Sequence, residues 1–512
     1  MLVKTFSSAV YGIEATTITV EVNVSTGTKY YIVGLPDNAI KESLQRVESA
    51  ILSIGRRMPR QKIVVNLAPA DIRKEGSAYD LAIAVGILAA SSQILEKKLT
   101  DYIVLGELSL DGSIQSVKGI LPIAIQAKRD GFKGIILPKA NAREAAIVGG
   151  IKIFGVDRLE QVVGFFNDEA VLEESDEGSR EVGAIDTFFH ELDFADVRGQ
   201  QNIKRALEIA AAGGHNIILI GPPGAGKTML AKRLPSILPP LTFEESLETT
   251  KIHSVSGNLS QKESLMTTRP FRAPHHTISD IALVGGGSSP QPGEISLAHN
   301  GVLFLDELPE FKRTVLEVMR QPLESRSITI SRARFTVDYP ASFMLVAAMN
   351  PCPCGYYNHP EKECVCGSLA VQRYLSKISG PLLDRIDLHI EVTPVEFNEL
   401  TDYKQAEKSS EVRQRVVKAR QLQAQRFVKE GHVYCNAQMS TKYVHELCTL
   451  DESGKKLLKN AMERLNLSAR AYDRILKVAR TIADMDNEVQ ILNQHLAEAI
   501  QFRSLDRETW LG

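Results

Sequence analysis

Two periods of hydrophobic residues alternate along the first third of the chain. Over residues 18–24 every second residue is apolar, which is the pattern of a half-buried strand. Over residues 40–54 apolar residues recur every three or four positions, which indicates an amphipathic helix that Asp37 or Asn38 can cap and that ends at Gly55. Residues 1–166 are therefore predicted to form a mixed α/β domain. Its predicted elements are strands at residues 18–24, 29–33 (pairing back on the first), 62–67 and 103–108, and helices at residues 40–54 and 81–90.

The composition changes after residue 166. Acidic residues crowd into residues 167–191 with little apolar material between them, which is typical of a flexible, solvated linker. Helical spacing returns near the C-terminus, at residues 455–465 and 471–485. Four segments are predicted, namely an N-terminal domain (1–166), an acidic linker (167–191), an α/β core (192–394) and a C-terminal helical lid (395–512).

A glycine-rich turn follows the apolar strand predicted at residues 217–220. The residues GPPGAGKT that come next have the GxxxxGK[ST] spacing of a phosphate-binding loop, and residues 229–234 can open the helix that such a loop requires. Lys227 is expected to neutralise charge on the β- and γ-phosphates of ATP, and the Thr228 hydroxyl to bind Mg²⁺. The predicted nucleotide contacts are Gly221, Pro222, Pro223, Gly224, Ala225, Gly226, Lys227 and Thr228.

Two carboxylates follow a second apolar run, at residues 302–305. In open α/β sheets ligands bind at the carboxyl ends of the strands, which is where Asp306 and Glu307 would lie. Asp306 is expected to hold Mg²⁺, and Glu307 to polarise the attacking water. Acids at the end of a strand are common by themselves, so this interpretation depends on their combination with the phosphate-binding loop.

Length and composition are those of an ordinary globular protein. The chain has 512 residues, enough for roughly three domains. The longest apolar run, residues 81–90, is shorter than the ~18 residues that a membrane-spanning helix needs, and the N-terminus lacks the apolar region of a signal peptide. We therefore expect a cytoplasmic protein with no membrane partner. The net charge of −2 implies that any DNA site is a local basic surface.

Residues 105–138 resemble the hairpin, helix and strand that carry a serine–lysine dyad in the Lon-protease-like fold. By ungapped comparison, Ala78 stands at the position of the serine and Leu121 at that of the lysine. Ser77 and Lys118 lie nearby and leave a shifted pair open. The resemblance therefore implies an α+β Lon-protease-like domain that is not a peptidase.

Several longer stretches resemble one family over essentially the whole chain. They follow in the order found in AAA+ ATPases, and the chain is similar to the ComM (YifB) family of magnesium-chelatase-like AAA+ ATPases. The resemblance implies an AAA+ P-loop core with a helical lid. The stretches are residues 193–216, which flank the nucleotide in AAA+ proteins, 269–276 (RPFRAPHH), 347–355 (AAMNPCPCG) and 379–390 (SGPLLDRIDLHI).

The family resemblance also implies roles for residues outside the phosphate-binding loop. Asn350, at the end of a predicted strand, corresponds to the sensor-1 residue that orients the hydrolytic water. Arg385 corresponds to the arginine finger that reaches a neighbouring subunit's γ-phosphate. Arg470 corresponds to the sensor-2 arginine, with Arg474 as the rival. A finger acting on a neighbour implies a ring, expected to be a hexamer.

A predicted β-hairpin at residues 324–339 carries candidate DNA contacts. Its turn holds Arg332 and Arg334, and the family resemblance favours contacts from these cations to DNA phosphates over an ordinary exposed hairpin. Such contacts would be independent of base sequence. Two other basic stretches are less informative: residues 413–426 suit a lid-helix surface, and Arg269, Arg272, His275 and His276 could line a pore or hold a loop.

Four of the six cysteines crowd into one segment, as two CxC pairs. Four thiolates at this separation can close a tetrahedral structural Zn²⁺ site, which we favour over reduced free thiols. Because the segment follows Asn350, a bound metal would stiffen the ATP site. The pairs are Cys352 with Cys354 and Cys364 with Cys366, whereas Cys435 and Cys448 are isolated and expected to be structural.

The family resemblance implies a motor that moves on DNA. The leading hypothesis is an ATP-driven ring that promotes branch migration or unwinding of branched or single-stranded DNA during recombination of incoming DNA. Two alternatives share parts of the architecture, namely a chelatase-type motor that drives metal insertion into a tetrapyrrole, and an ATP-dependent protease. The first does not normally carry a Lon-like domain, and Ala78 and Leu121 argue against the second.

Overall fold

Contacts between residues group the chain into two compact units in the computed structural model. One unit comprises Met1–Thr187 with Phe243–Thr267, and the other Phe188–Thr242 with Thr268–Gly512. A segment from the middle of the predicted ATPase core thus packs with the N-terminal residues. Most of the predicted linker lies outside the described residues. The structure describes residues 1–175, 192–259, 264–287, 290–332, 335–357, 359, 361–394, 406–428, 433–465 and 467–503, without the side chains of residues 332 and 335.

A seven-stranded mixed sheet forms the centre of the first unit, in the order β3-β4-β2-β1-β5-β8-β9. The first two strands form a long antiparallel hairpin, from Leu2 opposite Asn23 to Tyr11 opposite Glu14. Beyond β1 the strands are parallel. The strands are β1 (Leu2–Tyr11), β2 (Glu14–Ser25), β3 (Tyr30–Val33), β4 (Lys62–Ala68), β5 (Tyr102–Val104), β6 (Glu107–Leu108), β7 (Ile114–Gln115), β8 (Gly134–Pro138) and β9 (Lys152–Val156).

Two strand predictions in this unit were wrong in part. The strand β3 pairs parallel with β4 and does not pair back on β2, because β1 and β4 occupy both edges of β2. The strand expected at residues 103–108 is interrupted at Gly106, whose N–H donates to Ala78 and whose carbonyl accepts from Leu81. The short β6–β7 hairpin follows this interruption.

Helices cover both faces of this sheet. The predicted helix at residues 40–54 is confirmed as Asn38–Ser53, and the Asp37 carboxylate caps it by accepting the N–H of Ile40 at 2.9 Å. The predicted buried helix is confirmed as Asp80–Ala90, in which every residue is buried. The remaining helices of this unit are Ile120–Arg129, Ala142–Ala146, Leu159–Phe166 and Phe243–Ser256.

Five parallel strands form the main sheet of the second unit, in the order β11-β14-β17-β10-β18. Helices cover such a sheet on both faces, so its strands are continuous apolar runs. This accounts for the fully buried VLFL and MLVAAM segments. The strands of this unit are β10 (Ile217–Ile220), β11 (Phe271–Arg272), β12 (Gly285–Gly286), β13 (Gln291–Pro292), β14 (Val302–Leu305), β15 (Ser327–Arg332), β16 (Phe335–Pro340), β17 (Met344–Met349) and β18 (Leu388–Glu391).

The C-terminal helices share one hydrophobic core with this sheet. Val416 and Ile475, from two of these helices, are fully buried together with Leu207 and Ile217. The C-terminal helices are therefore docked on the helix Gln201–Gly213. The helices of this unit are Gln201–Gly213, Lys227–Arg233, Asp280–Val284, Glu294–Leu297, Arg313–Val318, Arg320–Ser325, Ser368–Leu375, Gly380–Leu383, Ser409–Arg426, Thr441–Leu447, Glu452–Leu465, Ala469–Met485 and Asn493–Gln501.

Candidate functional site

The glycine-rich loop lies at the carboxyl edge of the parallel sheet. It leaves β10, which lies between β17 and β18, and enters the helix Lys227–Arg233. Gly224 and Gly226 have φ values of +82° and +84°, a left-handed backbone that glycine adopts without steric cost. Because these glycines lack a Cβ, the loop can adopt the tight backbone turn that a phosphate-binding loop requires.

The Lys227 ammonium points back into this loop. Its Nζ donates to the carbonyls of Gly221 at 2.7 Å and Pro222 at 2.9 Å, and to Oδ1 of Asn350 at 3.0 Å. Burial lowers the pKa of Lys227 from its usual value. A buried cation whose hydrogen bonds to the described residues go to neutral oxygens is suited to exchange them for anionic phosphate oxygens. The loop residues therefore fit the phosphates of a nucleoside triphosphate.

The predicted magnesium ligands lie next to each other. Thr228 Oγ1 donates to Oδ2 of Asp306 at 2.6 Å. The two come together because β14 pairs in parallel with β17, which in turn pairs with β10, so that Asp306 and the loop follow strands ending at one edge. A hydroxyl and a carboxylate are oxygen ligands of the type that Mg²⁺ prefers. This pair therefore fits a magnesium ion.

Glu307, the residue after Asp306, has an unusual backbone conformation. Its φ is +53°, in the left-handed region, and its side chain is 59% exposed. Oε2 of Glu307 lies 3.3 Å from Nδ1 of His276, whose ring packs on His275 with centroids 4.1 Å apart. The sequence left the role of these histidines open. The structure places His276 beside Glu307, and the only signal in the sequence was its place in the RPFRAPHH stretch.

Asn350 completes the group at this edge of the sheet. It directly follows β17, and its contact with Lys227 fixes the amide beside the glycine-rich loop. Lys227 is thus hydrogen-bonded to Asn350, its chain neighbour Thr228 is hydrogen-bonded to Asp306, and Glu307 follows Asp306 in the chain. The predicted phosphate, magnesium and sensor residues therefore converge on one place.

Arg385 lies at the opposite edge of the sheet. Its carbonyl accepts from Nδ2 of Asn216 at 3.0 Å, and Asn216 immediately precedes β10. The five residue-to-residue steps from Asn216 to Gly221 span about 16 Å at ~3.3 Å per step of strand. The Arg385 guanidinium is buried, pairs with Glu324 at 2.5 Å and donates to the Pro381 carbonyl at 2.5 Å. Arg385 is therefore separated from the phosphate-binding loop of its own chain.

The two candidate sensor-2 arginines differ in their surroundings. Arg474 pairs with Asp387, whose carboxylate also accepts the N–H of Asn216 at 3.0 Å. Burial by itself would raise the pKa of Asp387, but the Arg474 guanidinium and His215 bring it well below its usual range. Arg474 therefore has a structural partner at the amino edge of the sheet. Arg470, one turn earlier on the same helix, is exposed.

The hairpin predicted at residues 324–339 is confirmed as β15 and β16. Its register pairs Ser327 with Pro340 and Arg332 with Phe335. The backbone of Arg332 is described but its side chain is not, and Arg334 lies outside the described residues. Their contact with DNA stays a prediction.

The other basic stretches hold the structure together. Arg269 donates to the carbonyls of Pro239 and Asn300, each at 2.7 Å. Arg272 forms a bidentate pair with Glu294 at 2.6 and 2.7 Å. Within the helix Ser409–Arg426, four arginines have partners in the same unit: Arg413 with Ser236, Arg415 with Glu208, Arg420 with Ala211 and Arg426 with Asp484.

The four clustered cysteines come together. Their Sγ atoms all lie within 4.8 Å of one another, as the spacing of the two CxC pairs predicts for a metal site. Cys352 is buried and the other three are partly buried. Cys435 and Cys448, expected to be structural, are both buried.

The residues near the Lon-like dyad positions have other neighbours. The Ser77 hydroxyl donates to the Glu107 carboxylate. The Lys118 side chain lies against Gly257, where an added Cβ would come within 2.6 Å of it. Leu121 is fully buried. These contacts place Ser77 beside an acid and give Lys118 a packing role.

Three family models match the chain in order. They describe subunit ChlI of magnesium chelatase over residues 20–141, magnesium chelatase subunit ChlI over residues 193–400, and the C-terminal part of subunit ChlI over residues 406–503. Together they account for both units. None of the helices in the described part of the chain has the length and hydropathy that a membrane-spanning helix requires.

Two of the named relatives match nearly the whole chain, and a third matches about a third of it. Competence protein ComM of Haemophilus influenzae is 45% identical over 504 residues, covering 98% of this chain and 97% of the relative. The uncharacterised protein YifB of Escherichia coli is 45% identical over 501 residues, covering 98% and 96%. Lon protease 2 of Bacillus subtilis is 28% identical over 189 residues, which cover 31% of this chain and 33% of the relative.

Proposed function

The chain belongs to the ComM (YifB) family of magnesium-chelatase-like AAA+ ATPases, and from this premise we propose that it is a ring motor that couples ATP hydrolysis to movement on DNA. The family accounts for the ATPase activity and for the use of ATP and Mg²⁺. The DNA-directed part of the proposal is supported by the competence relative and by the hairpin of β15 and β16. We propose branch migration or unwinding of branched DNA during recombination.

One observation carries the ATPase part of this proposal. Two hydrogen-bonded pairs, Lys227 with Asn350 at 3.0 Å and Thr228 with Asp306 at 2.6 Å, lie side by side at the carboxyl edge of one parallel sheet. Lys227 and the backbone of the loop would bind the phosphates, and Thr228 and Asp306 would hold Mg²⁺, which supplies charge neutralisation when bound. Glu307 would take the proton of the attacking water, and Asn350 would orient that water.

The position of Arg385 supports the ring. An arginine at the amino edge of the sheet lies about 16 Å from the loop that follows β10, so it would serve a neighbour's ATP. Repeated head-to-tail contacts of this kind close into a ring when the rotation permits. We propose a hexamer. Arg470, exposed on the lid, is proposed as the sensor-2 arginine.

DNA should stimulate ATP turnover, and the stimulation should fade as salt rises. Phosphate contacts release counterions, so the logarithm of affinity falls with the logarithm of salt by about 0.7 for each phosphate neutralised on a single strand. Turnover measured with forked, four-way and single-stranded DNA across a salt series gives this slope. Arg332→Ala with Arg334→Ala should reduce both the stimulation and the slope, similarly for unrelated base sequences.

A matched control is Lys459→Ala, which removes an exposed cation of the C-terminal helices. It should leave the slope unchanged. If every DNA left turnover unaffected, the DNA-directed proposal would be wrong. Stimulation by a porphyrin-loading partner instead would favour the chelatase-type motor, which the ChlI models make the main alternative. Ser77 beside Glu107 and buried Leu121 give no support to a peptidase.

A further inference from the structure

The sulfur atoms of the clustered cysteines are spaced like the ligands of a single metal ion. The Sγ of Cys352 lies 3.4 Å from that of Cys354 and 3.6 Å from that of Cys364, and the last two are 3.6 Å apart. The Sγ of Cys366 completes the group, with all four within 4.8 Å. Tetrahedral Zn²⁺ with Zn–S bonds of ~2.3 Å holds its sulfurs about 3.8 Å apart. A disulfide would need about 2.0 Å.

One histidine, His359, lies between the two cysteine pairs in the chain. His359 is not in a position to add a ligand through Nδ1, because that atom accepts the N–H groups of Glu361 at 3.0 Å and Lys362 at 3.1 Å.

The segment of residues 350–355, which carries Cys352 and Cys354, contacts the proposed nucleotide site at two points. At its start, Asn350 is two residues before the buried Cys352 and accepts from Lys227. At Gly355, which directly follows Cys354, an added Cβ would lie 2.5 Å from Cδ of Pro223 in the phosphate-binding loop. The N–H of Gly355 donates to the carbonyl of Cys352 at 3.0 Å, closing a turn between the two contacts. Two of the four cysteines therefore lie between two contacts with the ATP site.

We propose that Cys352, Cys354, Cys364 and Cys366 bind a structural Zn²⁺ ion that fixes Asn350 and the phosphate-binding loop in their working positions. Binding converts four thiols to thiolates, releases their four protons and leaves a site of charge −2. No electron transfer is involved. The coupling to hydrolysis rests on the proposed ATP site, whereas metal binding does not.

The zinc content of the protein should depend on the four clustered cysteines. Purified full-length protein should contain one zinc per chain by elemental analysis, and Co²⁺ in its place should show the absorption of tetrahedral thiolate coordination. The double variant Cys364→Ser with Cys366→Ser should lose the metal, whereas Cys435→Ser, a buried cysteine outside the cluster, should keep both its zinc and its turnover. Iron in place of zinc, no metal, or zinc retained in the double variant would each overturn the assignment.

Turnover should depend on the metal without DNA being present. The double variant should lower the basal kcat for ATP at least ~10-fold, because even the loss of a hydrogen-bonding partner of a metal ligand typically costs 10- to 100-fold in metal affinity or activity. Chelation of the wild-type protein should do the same, and added Zn²⁺ should restore it. Circular dichroism checks that the fold survives. A zinc-free protein with unchanged kcat would refute the coupling, while DNA stimulation, measured separately, tests the motor.

Gly355→Ala separates zinc binding from the contact with the loop. It leaves all four cysteines in place, but the methyl group meets the rigid Pro223 ring, and the φ of +85° strains an L-residue. The variant should keep one zinc per chain and lose ATP affinity or turnover. Normal turnover with bound zinc would show that the segment does not act through Pro223.

Discussion

Glu307→Gln should bind ATP as tightly as the wild-type protein and hydrolyse it at least ~10²-fold more slowly. Removal of a general base typically costs 10²- to 10⁴-fold, because the amide cannot accept the proton of the attacking water. Binding of ATP should persist because its phosphates are proposed to contact Lys227 and the backbone of the loop, which the substitution leaves in place. The side chain of Glu307 is 59% exposed, so the isosteric change should not affect stability.

Lys227→Ala is the matched contrast. It removes the buried cation of the loop and should abolish nucleotide binding itself. Binding is measured with a fluorescent ATP analogue and hydrolysis by phosphate release, at saturating ATP for each variant. If Glu307→Gln hydrolysed ATP normally, another group would have to be the base, and His276, at 3.3 Å from Glu307, would be examined first.

Local pattern was sufficient to predict the strands that build the ATP site. The run at Ile217–Ile220 was predicted residue for residue, because a buried parallel strand is apolar at every position and is bounded here by a glycine-rich turn. The contact of Thr228 with Asp306 could also be anticipated, since both follow strands that end at the same edge. Motif spacing and sheet geometry together determine this part of the site.

Contacts between distant segments were less accessible from the sequence. The partner of β3 depends on which strands have already taken the edges of β2, and no local period carries that information. The pairing of His276 with Glu307 depends on where a loop crosses the sheet. The docking of Phe243–Ser256 in the N-terminal unit also depends on tertiary contacts, among them the 2.5 Å hydrogen bond from Ser254 Oγ to the buried Glu144.

The buried surroundings of Arg385 could not be predicted from the sequence either. The LLDR motif implied a residue presented to a neighbour, yet the guanidinium of this single chain is 4% exposed and paired with Glu324. Its Nε atom has no hydrogen-bond partner among the described residues. A buried guanidinium with an unused donor gains a contact when it moves to a phosphate, so the pair with Glu324 is consistent with a resting position.

Arg385→Ala should reduce ATP turnover of the assembled protein by roughly 10³- to 10⁵-fold, the contribution of an arginine finger in related phosphoryl-transfer enzymes. Nucleotide binding should be retained, because the finger acts on charge that develops during cleavage. Glu324→Gln is the control: it removes the resting partner but not the guanidinium, so it should hydrolyse ATP at least as fast as the wild type.

Mixing variants tests whether Arg385 acts on a neighbour. Arg385→Ala keeps an intact phosphate-binding loop, and Lys227→Ala keeps an intact finger, so each is inactive alone for a different reason. If the finger acts between subunits, mixed rings regain activity wherever a Lys227→Ala subunit presents Arg385 to the ATP of an Arg385→Ala subunit. If it acts within one chain, no mixture recovers activity, because every subunit lacks one of the two groups. The geometry favours recovery of activity, because Arg385 lies near the amino end of β10 and the phosphate-binding loop of the same chain follows its carboxyl end.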